Sequence, residues 1–351
     1  MCGLLKSKFM LRNFVIIFLS SFTFCGVFSQ DLHFAQFYNT PLLINPSLAG
    51  GDDGTFTGVL NCRDRWKNAG NAYQTFGLSL DGGLMKKIDK GFLGVGGAIY
   101  NDKQGDVSLS KLNAKLSIAY HTQISRQQFF NAGISGGVAQ TSMDRTKMIW
   151  DDQYDGAGYN PGLVTSEPLF QTNSISPDFS LGVNYLFKEN EYVGNRKFLL
   201  GAAVHNLIKV DDAILDISEE SRSFRYMIHS EASLPIRGTN VQIQPSGFFA
   251  LQGSSKELFI GSNVRYELKQ ESKFTDFAKT SAVTIGVFAR ELKSVIAYAG
   301  LQLDKYNIGI SYDINISGYS IASSGRGGLE ISFKYVNLTK FNKAYTSAPR
   351  L

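Results

Sequence analysis

The stretch LNAKLSIAYH, Leu112 to His121, sets Leu112, Ala114, Leu116, Ile118 and Tyr120 against Asn113, Lys115, Ser117, Ala119 and His121 in strict alternation. Successive side chains of a strand point to opposite faces, so this segment has one apolar and one polar side. An alternation sustained over ~10 residues fits a strand whose apolar side faces lipid and whose polar side faces a lumen. The period returns in Phe179, Leu181, Val183, Tyr185 and Phe187, in Phe224, Tyr226 and Ile228, in Tyr306, Ile308, Ile310 and Tyr312, and in Leu329, Ile331, Phe333 and Tyr335. Weaker alternations start near Thr55, Gln74, Phe92, Phe129, Phe198, Val241, Leu258, Val283 and Val295.

Together these predict an all-β fold, a transmembrane antiparallel β-barrel of about 14 strands, even in number as single-chain bacterial barrels are. A soluble β-sandwich alternates too, but its strands are shorter and its turns richer in proline than in a chain with 8 prolines. With the first strand running outward, the long connections Met143 to Pro177, Ile208 to Arg222 and Asn315 to Gly327 face outside. Short turns at Pro235 to Asn240 and Asp304 to Lys305 face the periplasm. Lys269 to Lys279 is long for a turn, so it is either a contact surface or a slip in the strand count. Pro245 inside a strand predicts a bulge. Tyr100, Tyr120, Tyr185, Tyr266 and Tyr335 sit where an interfacial girdle would place them. The glycines of Gly94 to Gly97 predict a bend in the wall.

Composition agrees with a folded, apolar chain: 351 residues, 43% hydrophobic, 13% aromatic and 19% charged, with 35 glycines. Residues 1–29 read as a cleaved export signal, with Lys6, Lys8 and Arg12 ahead of the apolar run from Phe14 to Phe28. An uncleaved anchor or a lipid attached at Cys25 fits less well. Beyond that segment 32 basic residues face 30 acidic ones, so no broad positive field supports nucleic-acid binding. Cys62 is then the only remaining cysteine, which leaves no intramolecular disulfide. No later stretch has the length of an apolar membrane helix, so any membrane crossing is by a closed sheet.

The chemistry of catalysis and metal binding finds no pattern. His33, His121, His205 and His229 share no ligand spacing and read as polar wall or loop residues. A lipid-hydrolysing pair, His229 with Ser230 or His205 with a distant serine, is not selected by spacing. Asp151, Gln153, Asp155 and Gly156 open like a calcium loop, but Gly162 stands where a bidentate Glu is required, so a solvated turn is the reading. Asp211, Asp212, Asp216, Glu219 and Glu220 read as a solvated outer loop. No catalytic residue, metal or cofactor is assigned.

The start QDLHFAQFYNTPLLINPSLAG, Gln30 to Gly50, resembles the opening of the PorP/SprF family of type IX secretion and gliding-motility outer-membrane proteins. That family begins roughly Q-D-x-H-F-S-Q-F-Y, then P-L-x-x-N-P-A-x-x-G. The match falls on Gln30, Asp31, His33, Phe34, Gln36, Phe37, Tyr38, Pro41, Leu42, Asn45, Pro46 and Gly50. It continues where the family shows Y-R-x-Q-W and this chain has Cys62, Arg63, Asp64, Arg65 and Trp66, with Cys62 and Arg65 as departures. It runs on through Tyr73, Thr75, Ser79 and Asp81, Pro177 to Phe179, His205 to Leu207, Tyr312-Asp313 and Gly328 to Tyr335.

The resemblance implies a non-enzymatic barrel in the outer membrane of a Gram-negative, Bacteroidota-type bacterium. Its implied partners are outer-membrane lipid, periplasmic or lipoprotein components of the secretion machine, and a large secreted adhesin. The expected organisation is a signal peptide over 1–29, a plug or periplasmic segment over 30–54, a barrel over 55–336 and a tail over 337–351. Residues 30–54 are too apolar for a free tail and lack a strand period, so they are expected in the lumen or on the periplasmic rim. Phe34, Gln36, Phe37, Tyr38, Asn45, Pro46, Arg63 and Trp66 are the candidate plug or partner-binding residues. A passive porin or small-solute channel is the alternative function.

Overall fold

A computed structural model describes residues 34–51, 56–65, 73–88, 91–105, 107–156, 158–160, 162–166, 172–189, 195–208, 223–269, 281–291, 293–316 and 326–337. Fourteen strands close on themselves in sequence order, β1 pairing with β14. They are β1 (Phe56–Arg65), β2 (Tyr73–Ile88), β3 (Gly91–Gln104), β4 (Leu109–Ser125), β5 (Gln128–Ser142), β6 (Asn173–Lys188) and β7 (Lys197–His205), followed by β8 (Arg225–Pro235), β9 (Val241–Gln252), β10 (Ser255–Lys269), β11 (Ser281–Arg290), β12 (Ser294–Leu303), β13 (Tyr306–Asn315) and β14 (Arg326–Asn337). Every pair is antiparallel, and closure removes the unpaired edge that a bilayer would not solvate. No helix among the described residues is long and apolar enough to cross a membrane.

The alternation read at Leu112 to His121 is an inside-outside alternation. Leu116 is 73% exposed, and Ile118, Tyr120, Leu181, Ile228, Ile310 and Ile331 are exposed beside it on the outer face, while Lys115, Ser117, Ala119 and His121 are buried within. A soluble protein would not leave so continuous an apolar belt in water. Both ends of the sheet, Phe56 of β1 and Asn337 of β14, pair at one rim. That rim also carries the short turns β4–β5 and β12–β13. It is called the turn end below, and the opposite rim, with the β5–β6 connection, the loop end.

Several sequence expectations are corrected. The long β5–β6 connection ends at Thr172, because Asn173 to Pro177 extend β6 along β5. Proline is tolerated there since β7 runs alongside only as far as Leu181 of β6, leaving the side to which Pro177 gives no donor unpaired. Pro245 causes no bulge. The β9–β10 register runs straight through Pro245↔Ser262, and β8–β9 keeps its register from Glu231↔Ser246 to Leu234↔Ile243 with the intervening pairs missing. The missing proline N–H interrupts the ladder without displacing it.

Tyr100 is no girdle residue. It lies inside the barrel, in phase with Ala98 and Asp102, and is 1% exposed. The strand count does not slip between β10 and β11, which pair directly, although residues 270–280 lie outside the described residues. So do residues 1–33, Trp66, the acidic run from Asp211 to Glu220, and 338–351.

The β5–β6 connection carries the stretch that resembled a calcium loop. There Asp155 accepts the Gly158 N–H at 3.0 Å, Gln153 donates to the Leu163 carbonyl at 2.9 Å, and Tyr154 bridges to Tyr159, which makes it a self-satisfied turn. Asp152 accepts the backbone N–H of Ser166 at 2.5 Å and its hydroxyl at 2.8 Å. These bonds, with the Thr165 hydroxyl, hold its carboxyl below the usual carboxylate range. Among the described residues no three His, Cys, Asp or Glu side chains converge as metal ligands.

Candidate functional site in the lumen

A barrel of fourteen strands is too wide for its own side chains to fill. Strands about 4.8 Å apart and tilted ~40° close eight strands into a backbone cylinder roughly 16 Å across, and fourteen into one roughly 28 Å across. The surplus, roughly 12 Å, is about the width of one helix with its side chains. The segment Phe34–Gly51 occupies that space. It folds as a turn of 3-10 helix (Phe37–Asn39), the short helix α1 (Pro41–Ile44) and a second 3-10 turn (Pro46–Leu48). Prolines open α1 and the second turn, where a missing N–H costs nothing, and the Asn45 side chain caps the Ser47 N–H.

Every strand from β2 to β14 offers this segment a partner. On the β13–β14 side, Glu330 accepts the Ala35 N–H at 2.6 Å and the Gln36 N–H at 3.0 Å. The Gln36 amide donates to Ser311 at 3.2 Å, and the Ser332 hydroxyl donates to its oxygen at 2.6 Å. Toward β9–β12, Phe37 packs edge-on against Phe248, Phe259 and Phe288, with centroids 5.2, 5.0 and 6.3 Å away. Tyr38 meets Phe288 and Tyr298, each at 5.6 Å. Phe34 leans on Tyr100 of β3 at 5.9 Å. Aromatic pairs of this kind add to the apolar burial of the lumen, alongside Leu42, Ile44, Met227 and Ile296.

The lower part of the segment is held by polar groups. The Asn45 amide donates to the Val183 carbonyl at 3.0 Å and the Ala202 carbonyl at 3.2 Å, and sits 3.0 Å from His229 Nε2. Asn184 donates to the Ser47 hydroxyl at 2.7 Å, and Asp81 accepts the Gly50 N–H at 2.9 Å. His205 Nε2 lies 3.0 Å from the Ile44 carbonyl, and His121 Nε2 lies 2.8 Å from the Ala49 carbonyl. A carbonyl only accepts, so both imidazoles carry a proton on Nε2. Three strand histidines thus hold consecutive parts of one chain segment.

Pairing with a serine does occur, at His205 Nδ1 and Ser180 Oγ, 3.0 Å apart. Both are buried and the second ring nitrogen is spent on Ile44, so no face is left for a substrate. His229 and Ser230 face opposite sides of the wall.

Arg63, buried in β1, reaches the segment through carboxylates. Its guanidinium lies 2.9 Å from Asp313, which also pairs with Arg290 at 3.0 Å, and 3.8 Å from Glu330. Of the sequence candidates, Phe34, Gln36, Phe37, Tyr38, Asn45 and Pro46 lie together on the segment, and Arg63 stands one residue removed. Sequence reasoning missed Glu330, Asn184, Asp81 and the holding role of the three histidines. The signal was available: Glu330 is a lone acid between Leu329 and Ile331, on the polar phase of a spanning strand.

Within the run Gly94 to Gly97, Gly94 and Gly96 also make room for the internal segment. Pairing of β3 with β4 runs unbroken through them. A Cβ on Gly94 would lie 1.9 Å from the Ala49 carbonyl oxygen, so the missing side chain makes room for the segment. Gly94→Val should therefore push Ala49 and Gly50 off the wall, breaking their bonds to His121 and Asp81 at a cost of about 2 to 3 kcal/mol. Chymotrypsin should then cleave after Phe37 and Tyr38 markedly faster than in the parent, while Gly158→Ala, in open space on the outer loop, should leave the rate unchanged.

A closed antiparallel barrel with an apolar outer belt and an internal segment is the architecture of a plugged transmembrane barrel. The family model for type IX secretion system membrane protein PorP/SprF matches residues 27–335. The chain belongs to that family. It is an outer-membrane β-barrel of the type IX secretion system, typical of Bacteroidota, and the family is not an enzyme family.

No curated protein matches the chain in sequence. Solved barrels resemble it distantly. BamA from Haemophilus ducreyi aligns at 8% identity over 80% of this chain and 70% of that one, with a TM-score of 0.36. OprB from Pseudomonas putida aligns at 9% identity over 88% and 99%, with a TM-score of 0.34. The ferric enterobactin receptor PfeA from Pseudomonas aeruginosa aligns at 9% identity over 75% of this chain, which spans only 44% of that receptor, with a TM-score of 0.33.

Proposed function

We propose that this chain is a plugged, non-enzymatic barrel that docks periplasmic components of the secretion machine and assists the export or surface retention of a large adhesin. The observation behind this reading is the lumen itself. A barrel for passive diffusion keeps a water-filled lumen, whereas here one segment lies across it, hydrogen-bonded to β2, β4, β6–β8, β13 and β14 and packed by its aromatic rings against β3 and β9–β12. On this reading residues 1–29 are the export signal, 30–54 the plug, 55–336 the barrel and 337–351 a tail on the periplasmic side. The candidate residues Phe34, Gln36, Phe37, Tyr38, Asn45, Pro46, Arg63 and Trp66 then serve the plug, and docking falls to the turn end.

Deleting this gene should abolish surface display of the adhesin without blocking its synthesis. Shortening the turns Glu189–Arg196 and Ile236–Asn240 should release co-purifying periplasmic partners while the barrel still assembles. Adhesin display that persists at the parental level in the deletion strain would overturn the proposal. Large steady single-channel currents from the full chain would favour the porin instead.

A further inference from the structure

The wall closes, but its loop end is uneven. β5 and β6 stay paired up to Ser142↔Asn173, whereas β7 and β8 end at His205↔Arg225. β7 follows β6 in register only to Leu181↔Val204, and beyond it the Leu207 N–H donates to the Phe179 carbonyl at 3.0 Å. Further toward the rim, from Asp178 to Asn173, β6 has β5 on one side and no strand among the described residues on the other.

The ladder fixes which groups this leaves unpaired. Thr172 accepts the Met143 N–H and Lys188 donates to the Gln127 carbonyl, so even-numbered residues of β6 turn their backbone groups to β5. Odd-numbered residues turn theirs the other way, as Phe179 does. The Pro177 carbonyl and the N–H and C=O of Ile175 and Asn173 therefore have no backbone partner among the described residues. They stand above the apolar belt, because Ile175, 64% exposed, lies opposite Gln140, which donates to the Asn173 side chain at 2.9 Å. Carbonyls and N–H groups in a row at strand spacing match one kind of ligand, an extended peptide backbone.

A second copy does not fit. Two barrels standing the same way up in one membrane cross their β6 strands at twice the strand tilt, roughly 80°, too steeply for a ladder. The loop end carries the long connections and so faces outward in barrels of this kind, where a chain already carried across the membrane meets it. Ile175 and Pro177 point outward and Ser174 and Ser176 inward, so an added strand sets β-branched side chains outside and hydroxyls inside. We propose that the β6 edge from Asn173 to Pro177 holds an extended segment of the exported polypeptide as an added strand. The inference rests on the export reading above and gives the exported chain a place on the barrel.

The test uses the full chain in lipid nanodiscs and a fluorescent heptapeptide of alternating threonine and valine, with a copy N-methylated at every valine as the control. The parent peptide should bind saturably at one site, and the methylated copy, which has lost the donors on its pairing edge, should not. Ile175→Pro removes an edge donor in the same phase as Pro177 and leaves the β5 ladder intact, so it should weaken binding by about fivefold or more. Pro177→Ala supplies a donor and should tighten binding by about threefold. Ile124→Thr, an equally exposed isoleucine at the turn end, should change nothing. Heat-modifiable gel mobility verifies that each variant is a folded barrel, and Asn173→Pro serves if Ile175→Pro fails to assemble. No saturable binding, equal binding of the methylated copy, or an unchanged affinity in the folded proline variant would overturn the assignment. Normal adhesin display in the deletion strain would remove the export reading while leaving this titration as it stands, so the two fail separately.

Discussion

Excision of Phe34–Gly51 should turn a silent barrel into a steadily conducting one. The wall closes through strand pairing from β1 to β14, and none of those ladders uses the segment. Removing it opens a passage roughly 12 Å across, by the width argument for fourteen strands. Water can enter, and the polar groups that held the segment, Asp81, His121, Asn184, His205 and Glu330, exchange their partners for solvent rather than being stranded in a dry interior. The aromatic cluster of Phe248, Phe259 and Phe288 becomes wet, which lowers stability but breaks no ladder. In planar bilayers the full chain should stay near baseline, and the excised chain should give large ohmic steps that are insensitive to voltage sign. A correctly folded excision variant that stays at baseline would mean that other parts of the chain close the lumen.

The wall was legible in the sequence because period-two alternation is local. Each of Leu112, Phe179, Tyr306 and Leu329 declares the face of its neighbours without knowledge of the rest of the chain. That Phe34–Gly51 is no wall strand was legible for the opposite reason: Phe34, Phe37, Tyr38 and Leu42 are apolar without a strand period. What holds the plug was not legible. His121, His205 and His229 bind backbone carbonyls or an amide of Ile44, Ala49 and Asn45, and backbone groups leave no mark in a sequence. Gly94 could be read only as a flexible point until the Ala49 carbonyl was seen pressed against it. Tyr100 was misread because tyrosine suits a girdle by type, although its phase with Ala98 and Asp102 already placed it inside.

Glu330→Ala should be the most damaging single substitution in the lumen. The carboxylate is fully buried at 0% exposure and accepts two consecutive backbone N–H groups, of Ala35 and Gln36. It also sits beside Arg63, whose other carboxylate partner, Asp313, is shared with Arg290. Without Glu330, Arg63 keeps Asp313, which it shares with Arg290, and two buried donors lose their acceptor. Breaking a buried pair from one side costs about 3 to 5 kcal/mol, chiefly because the surviving charge stays desolvated. Urea unfolding in lipid vesicles should show that loss as a lower midpoint with an unchanged slope.

Glu330→Gln should fall between, since one amide oxygen still accepts while the amide nitrogen opposes the second N–H. The double variant Arg63→Met/Glu330→Leu should be less destabilised than Glu330→Ala alone, because it removes the stranded charge together with its partner. If Glu330→Ala unfolds at the parental midpoint and keeps the segment protected from chymotrypsin, the aromatic contacts of Phe37 and Tyr38 hold the plug by themselves and the carboxylate is dispensable.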